Sequence, residues 1–241
     1  MMTRAFFLLT ALALGAQASP PDSKIVAVAG PTHAVSEVTT RILAPAGLTT
    51  ENYIGIPIPV ADYPKYRAVI FAERDEPALN EPGAIWTTPE AVEQVRAYLR
   101  AGGIVIFCNY GISNVFPQRE LGLGAELAGF ASYPDAVDPR TISLTSDCAK
   151  WLRQARQSVP DTFDWIVGSC PIAKGVSSAV ELAVVLTNSP ESPQAFATKN
   201  EVGDGRVYFF AASLNRLVRE RRGSDSIDGF GTLLRAALQS P

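Results

Sequence analysis

At 241 residues and 47% hydrophobic content, the chain can build one sizeable α/β domain with a full core. Its 21 basic and 24 acidic residues give a net charge of −3 with no long basic run. That balance gives no electrostatic reason to bind nucleic acid or an anionic membrane.

Residues 1–18 read as a secretory signal rather than as part of the domain. Arg4 supplies a short positive region, Ala5 to Leu14 is apolar, and Ala16-Gln17-Ala18 is a small-x-small cleavage site. The apolar run is too short to remain as a membrane span. Cleavage near Ala18 is expected to release a soluble, exported protein into a periplasmic or extracellular space. Removing Arg4 lowers the 21 basic residues to 20 against 24 acidic, so the mature charge moves from −3 to −4. Residues 19–241 then form a single domain, with no repeat, low-complexity tract or linker.

Lys24 to Ala29 is a short apolar run suited to a first central strand, closed by the turn Gly30-Pro31-Thr32-His33. Ser36 to Leu43 reads as a helix and Gly47 to Tyr53 as a strand. Three prolines between Ile54 and Pro64 exclude a central strand and imply an extended loop. Ala68 to Ala72 is the next buried strand, with Glu73-Arg74-Asp75-Glu76 crowding charge at its carboxyl end.

The most informative stretch is Pro89 to Gly111. Thr88 can cap a helix that opens on Pro89, with Glu90 in its first turn and Arg96 and Arg100 late. Val92, Val95 and Leu99 share one stripe, and Gly102 supplies the left-handed residue that ends the helix. Ile104 to Phe107 is then a continuous apolar run, as in a strand buried on both faces of a parallel sheet. It ends in Cys108-Asn109-Tyr110-Gly111. Ligands of such sheets bind beyond the carboxyl ends of the strands, so Cys108 falls at a functional edge.

A short helix is expected around Leu121 to Ala128, an edge strand at Thr141 to Leu144, and a helix from Asp147 to Gln157 with Trp151 and Leu152 inward. Val180 to Leu186, Gln194 to Thr198 and Arg206 to Ala211 read as strands. Gly203-Asp204-Gly205 would join the last two as an antiparallel hairpin. Phe230 to Leu238 closes the chain as a helix. The basic residues Arg216, Arg219, Arg221 and Arg222 are offset by Glu220, Asp225 and Asp228 and read as a solvated turn.

Three cysteines sit in a chain expected to be exported: Cys108, Cys148 and Cys170. Cys148 and Cys170 both lie in the turn-rich middle and are the expected disulfide, leaving Cys108 free. The alternative is that all three are small hydrophobes.

Several segments in order resemble the class I glutamine amidotransferase-like superfamily. They are Ala29-Gly30-Pro31-Thr32-His33, the strand Arg67 to Phe71, the helix, Gly102-Gly103 and apolar strand ending at Cys108, and Gly203-Asp204-Gly205-Arg206-Val207-Tyr208. The layout is most similar to the trehalose-utilisation (ThuA-like) branch. The resemblance spans roughly Lys24 to Leu238. It implies a three-layer α/β/α sandwich with a mostly parallel central sheet, flavodoxin-like, with a C-terminal β-hairpin. The departures are chemical. Ile106 stands where the elbow of an amidotransferase has glycine, and Gly111 arrives one position late. The single histidine, His33, is early, and Ser213-Leu214-Asn215 stands where ThuA-like proteins often carry a histidine. A glutaminase triad of the family type cannot be assembled.

Two readings of the carboxyl edge remain, with a third that gives it no function. In the first, the domain is catalytically reduced and binds a small polar or carbohydrate-type molecule. Asn109, Tyr110, Asp75, Ser213 and Asn215 would supply contacts beside His33, Glu73 and Cys108. In the second, Cys108 is the nucleophile of a hydrolase or amidase, with His33 as base and Glu73 orienting it. In the third, the domain is a non-catalytic structural or assembly module. No cofactor is expected, because Gly122-Leu123-Gly124 lacks both lysine and a strand–turn–helix setting. No metal is expected, since nothing in the spacing of His33, Glu73, Asp75 and Glu76 demands one.

Overall fold

The computed structural model describes residues 25–73, 85–86, 88–116, 118–134, 141–157, 162–164, 171–186, 194–211 and 224–239. The expected first strand is β1 (Ile25–Gly30) and the second β2 (Thr49–Ile54). Between them, α1 (Thr32–Glu37) begins four residues before the expected helix. It runs on as a π-helical turn (Val38–Leu43) and a 3₁₀ turn (Ala44–Ala46). Pro45, with no amide hydrogen to donate, and Gly47 at φ +71° stop it there. The proline-rich loop carries a 3₁₀ helix, Val60–Lys65, before β3 (Ala68–Phe71).

The central stretch forms as its residues dictate. The Thr88 hydroxyl accepts from the Ala91 amide at 3.2 Å and caps α2 (Pro89–Arg100), which leads into β4 (Ile104–Cys108). A 3₁₀ segment, Asn109–Asn114, follows directly. The chain continues through α3 (Ala125–Ala128), β5 (Thr141–Leu144), α4 (Ser146–Gln154) and β6 (Thr162–Asp164). It ends with β7 (Val180–Leu186), β8 (Gln194–Val202), β9 (Gly205–Phe210) and α5 (Ser224–Gln239).

These strands make one nine-stranded sheet in the order β2-β1-β3-β4-β9-β8-β7-β5-β6. The first five run parallel and the last four add on antiparallel. The expected parallel sheet is therefore one half of a mixed sheet, and its antiparallel wing is larger than a single hairpin. Thr141–Leu144 is not an edge. It pairs with β7 on one side and β6 on the other. The hairpin at residues 203–204 forms as expected, pairing Val202 with Gly205 around Gly203 at φ +63°.

Alternation along the strands sorts the core into two layers. Phe71, Phe107 and Phe209 stand in register on one face, where Phe107 meets Trp86 and Phe209 meets Phe130. Tyr63 packs there against Trp86 and against Tyr98 of α2. Tyr208 and Phe210 point the other way, and Tyr208 meets Trp151 of α4 at 5.6 Å. Gln157 just beyond α4 donates to Gln239 of α5 at 3.3 Å, placing both helices on that second face. The sheet is thus the middle of three layers. No helix among the described residues is long and apolar enough to cross a membrane.

Candidate functional site

The five parallel strands are arranged 2-1-3-4-5, with β9 in fifth place. From β1 the chain moves outward to β2, then crosses back to β3 on the other side. In open sheets of this order the crevice lies outside the carboxyl ends of the strands at that reversal. Here that position falls between Gly30, the last residue of β1, and Glu73, two residues past β3. Their backbones touch. A Cβ added to Gly30, whose φ is +147°, would sit 3.3 Å from the Glu73 amide nitrogen.

Glu73 is held from the side by the end of β4. The Asn109 Nδ2 donates to Glu73 Oε1 at 2.8 Å, and the Asn114 Nδ2 donates to the Glu73 carbonyl at 3.0 Å. The sharp turn between them passes close to β3 at Gly111, where any side chain would collide with the Phe71 carbonyl oxygen. Asn109 itself is 5% exposed and has φ +51°, a left-handed conformation that Asn tolerates better than most residues.

This arrangement leaves two oxygens stranded. Glu73 Oε2 and Asn109 Oδ1 are both buried, and among the described residues neither has a hydrogen-bond partner. Each is an acceptor, since a carboxylate and an amide carbonyl have no proton to give. Leaving a buried polar group unpaired costs about 1–3 kcal/mol. The two acceptors lie on side chains that are hydrogen-bonded to each other.

Cys108 is a different kind of residue. It is still in the strand, at φ −111° and ψ 128°, and it pairs in register with Phe210. Its side chain therefore points to the face that carries α4, and it is fully buried. Burial pushes its thiol well above the ordinary cysteine range, and the nearby Glu73 charge pushes the same way. A nucleophilic cysteine needs the opposite environment. A nucleophile elbow places its reactive side chain on the strained residue at the strand-to-helix turn. In this chain that residue is Asn109.

His33 lies in the first turn of α1 and is half-buried. Among the described residues no hydrogen bond joins it to Cys108 or Glu73, and the Glu73 carboxylate is engaged by Asn109 instead. The expected Cys108–His33–Glu73 relay is not assembled, because the thiol faces the core and the acid faces an amide. Tyr110 is half-buried beside the pair, with the Arg119 guanidinium 5.9 Å above its ring. Asp75, Ser213 and Asn215 lie outside the described residues. Cys148 is a free, fully buried thiol at the start of α4, with its pKa pushed up to about 12 by burial. Cys170, its expected partner, lies outside the described residues. Among the described residues no three His, Cys, Asp or Glu side chains gather into a metal-binding group.

Asn114 was not anticipated from the sequence. Its only signal is its place five residues after Asn109, at the far end of a loop too short to leave β3.

No family model matches the sequence, and no curated protein matches it. The fold does have known counterparts. A cytoplasmic protein of Salmonella typhimurium superposes with a TM-score of 0.59 at 11% identity, covering 90% of this chain and 98% of that one. A protein of Bacteroides uniformis described as ThuA-like gives 0.58 at 10% identity, over 89% and 90% of the two chains. The fold is shared with ThuA-like proteins. An exo-β-1,4-mannosidase of Opitutaceae bacterium strain TAV5 gives 0.50 at 13% identity over 92% of this chain. The present chain spans only 36% of that enzyme's length.

Proposed function

We propose that this chain is an exported amidotransferase-like domain without the glutaminase triad, and that it binds a small polyhydroxylic molecule at the carboxyl edge. The observation that carries the reading is the pair of stranded acceptors, Glu73 Oε2 and Asn109 Oδ1. Adjacent hydroxyls of a sugar or polyol are donors that would satisfy both at once. Supplying the pair's missing donors is a favourable gain, because hydrogen bonds to a charged acceptor contribute about 1.5–3 kcal/mol.

Two further points support the class of ligand. The Glu73–Asn109 pair sits at the reversal of strand order, where sheets of this kind take ligands. A mannosidase shares the fold over a third of its own length, which is consistent with a sugar-type ligand. The cysteine hydrolase reading needs an exposed, activated Cys108, and its burial argues for binding without that chemistry.

The test is a titration of the full chain with glucose, mannose, galactose and glucitol by calorimetry, repeated on Glu73→Gln. Saturable binding of one probe is expected, at least tenfold weaker in the variant, where the amide nitrogen replaces an acceptor by a donor. If none binds, or the variant binds as tightly, the proposal fails.

A further inference from the structure

A second concavity lies at the opposite end of the parallel strands. It has a volume of about 240 Å³ and opens between the start of β2, the start of β3 and the last turn of α5. Arg67 and Arg235 line it together with Ala46, Leu48, Leu238 and Gln239. Arg67 precedes β3 and Glu73 follows it, so at roughly 3.3 Å per residue the two places are about 20 Å apart.

Both guanidiniums are held in place by neutral acceptors. Arg67 has its backbone pinned between β1 and β4, its amide donating to the Ile25 carbonyl at 3.0 Å and its carbonyl accepting from Ile104 at 3.3 Å. Its Nη2 donates to the Leu238 carbonyl at 2.8 Å, and the Arg235 Nη2 donates to the Thr232 hydroxyl at 3.0 Å. Each guanidinium carries five N–H groups, and these contacts use one apiece. Among the described residues neither arginine has a carboxylate partner. The two cations share one small cavity.

We propose that this cavity binds a small organic monocarboxylate. The guanidinium fork matches a carboxylate with two parallel hydrogen bonds. The remaining wall is partly apolar, from Ala46, Leu48 and Leu238, and gives a short carbon chain a surface to cover. The carboxyl end of α5 decides between a carboxylate and a phosphate. It contributes about half a negative charge, which two guanidiniums outweigh for a monoanion but which opposes a second charge on the ligand. Inorganic phosphate is a mixture of mono- and dianion at neutral pH, and its dianion is the poorer fit.

The experiment titrates the full chain with butyrate, inorganic phosphate and glucitol, following backbone amide shifts by nuclear magnetic resonance. Saturable shifts with butyrate are expected around Leu48, Arg67 and Leu238, with phosphate at least threefold weaker and glucitol silent there. Arg235→Gln should weaken butyrate at least tenfold. The Arg235 side chain donates to the Thr232 hydroxyl rather than to the backbone, so this variant spares the Arg67 bond to the Leu238 carbonyl. Glu73→Gln should leave butyrate binding unchanged. Three results would overturn the proposal: phosphate binding as tightly as butyrate, unchanged affinity in Arg235→Gln, or loss of butyrate binding in Glu73→Gln. The last would assign the shifts to the carboxyl edge.

Discussion

Asn109 does two jobs, and they can be separated by substitution. Its backbone occupies a left-handed conformation and its amide holds Glu73. Asn109→Ala removes the amide and adds left-handed strain of about 1–2 kcal/mol. Asn109→Gly also removes the amide but relieves the strain. Chemical denaturation should therefore find the alanine variant clearly less stable than the glycine variant, while both lose ligand affinity. Equal stabilities would mean the turn is not strained. For Cys108 the prediction is inertness. In the native protein its alkylation by iodoacetamide at pH 7 should be undetectable until the chain unfolds, and His33→Ala should change nothing. Rapid native labelling that slows in His33→Ala would restore the nucleophile reading.

At the level of elements, the sequence was legible wherever a local pattern was strong enough to override context. Thr88, Pro89 and Gly102 delimit α2 because capping and left-handed termination are local chemistry. The apolar runs of β3 and β4 mark strands buried on both faces. The three-residue β6 was missed because Thr-Phe-Asp is too short to show a period, and its pairing with β5 is set by tertiary contact. The same omission made Thr141–Leu144 look like an edge. At the carboxyl edge, where the sequence leads one to expect a site, the residue types favour Cys108 over Asn109. One residue of strand register decided between them: alternation turns Cys108 into the core and leaves Asn109 at the turn. Gly111 tests how tightly that turn is fixed. Gly111→Ala would drive a methyl group against the Phe71 carbonyl, a backbone atom that cannot rotate away. A loss of at least about 2 kcal/mol is expected from urea unfolding, together with loss of binding. A neutral effect would mean that β3 and the loop are not in contact.

For the whole molecule, the buried thiols set an alkaline limit. Burial raises the folded-state pKa of Cys108 and of Cys148, the second to about 12, whereas an unfolded cysteine titrates near 8.5. Below about pH 8.5 both states keep their protons and stability is at its full value. Above it the unfolded chain releases protons that the folded one retains, so stability falls as pH rises. The expected slope is about 1.4 kcal/mol per pH unit for each thiol between roughly pH 9 and 11. Urea midpoints measured from pH 7 to 10.5 should decline accordingly, and a Cys108→Ala/Cys148→Ala variant should show a flatter profile. Identical profiles would mean that the thiols ionise in place. Export is tested at the same scale, since the mass of the mature protein should correspond to a chain beginning at Ser19.

The central claim is that the Glu73–Asn109 pair receives a ligand through its two unpartnered oxygens. The most direct measurement follows the Asn109 side-chain amide in a ¹⁵N spectrum, assigned by its disappearance in Asn109→Gly, during titration with the sugar and polyol probes. A saturable shift of that signal, absent in Glu73→Gln, is the predicted result. A signal that stays fixed while a probe binds elsewhere, or while none binds at all, would contradict it.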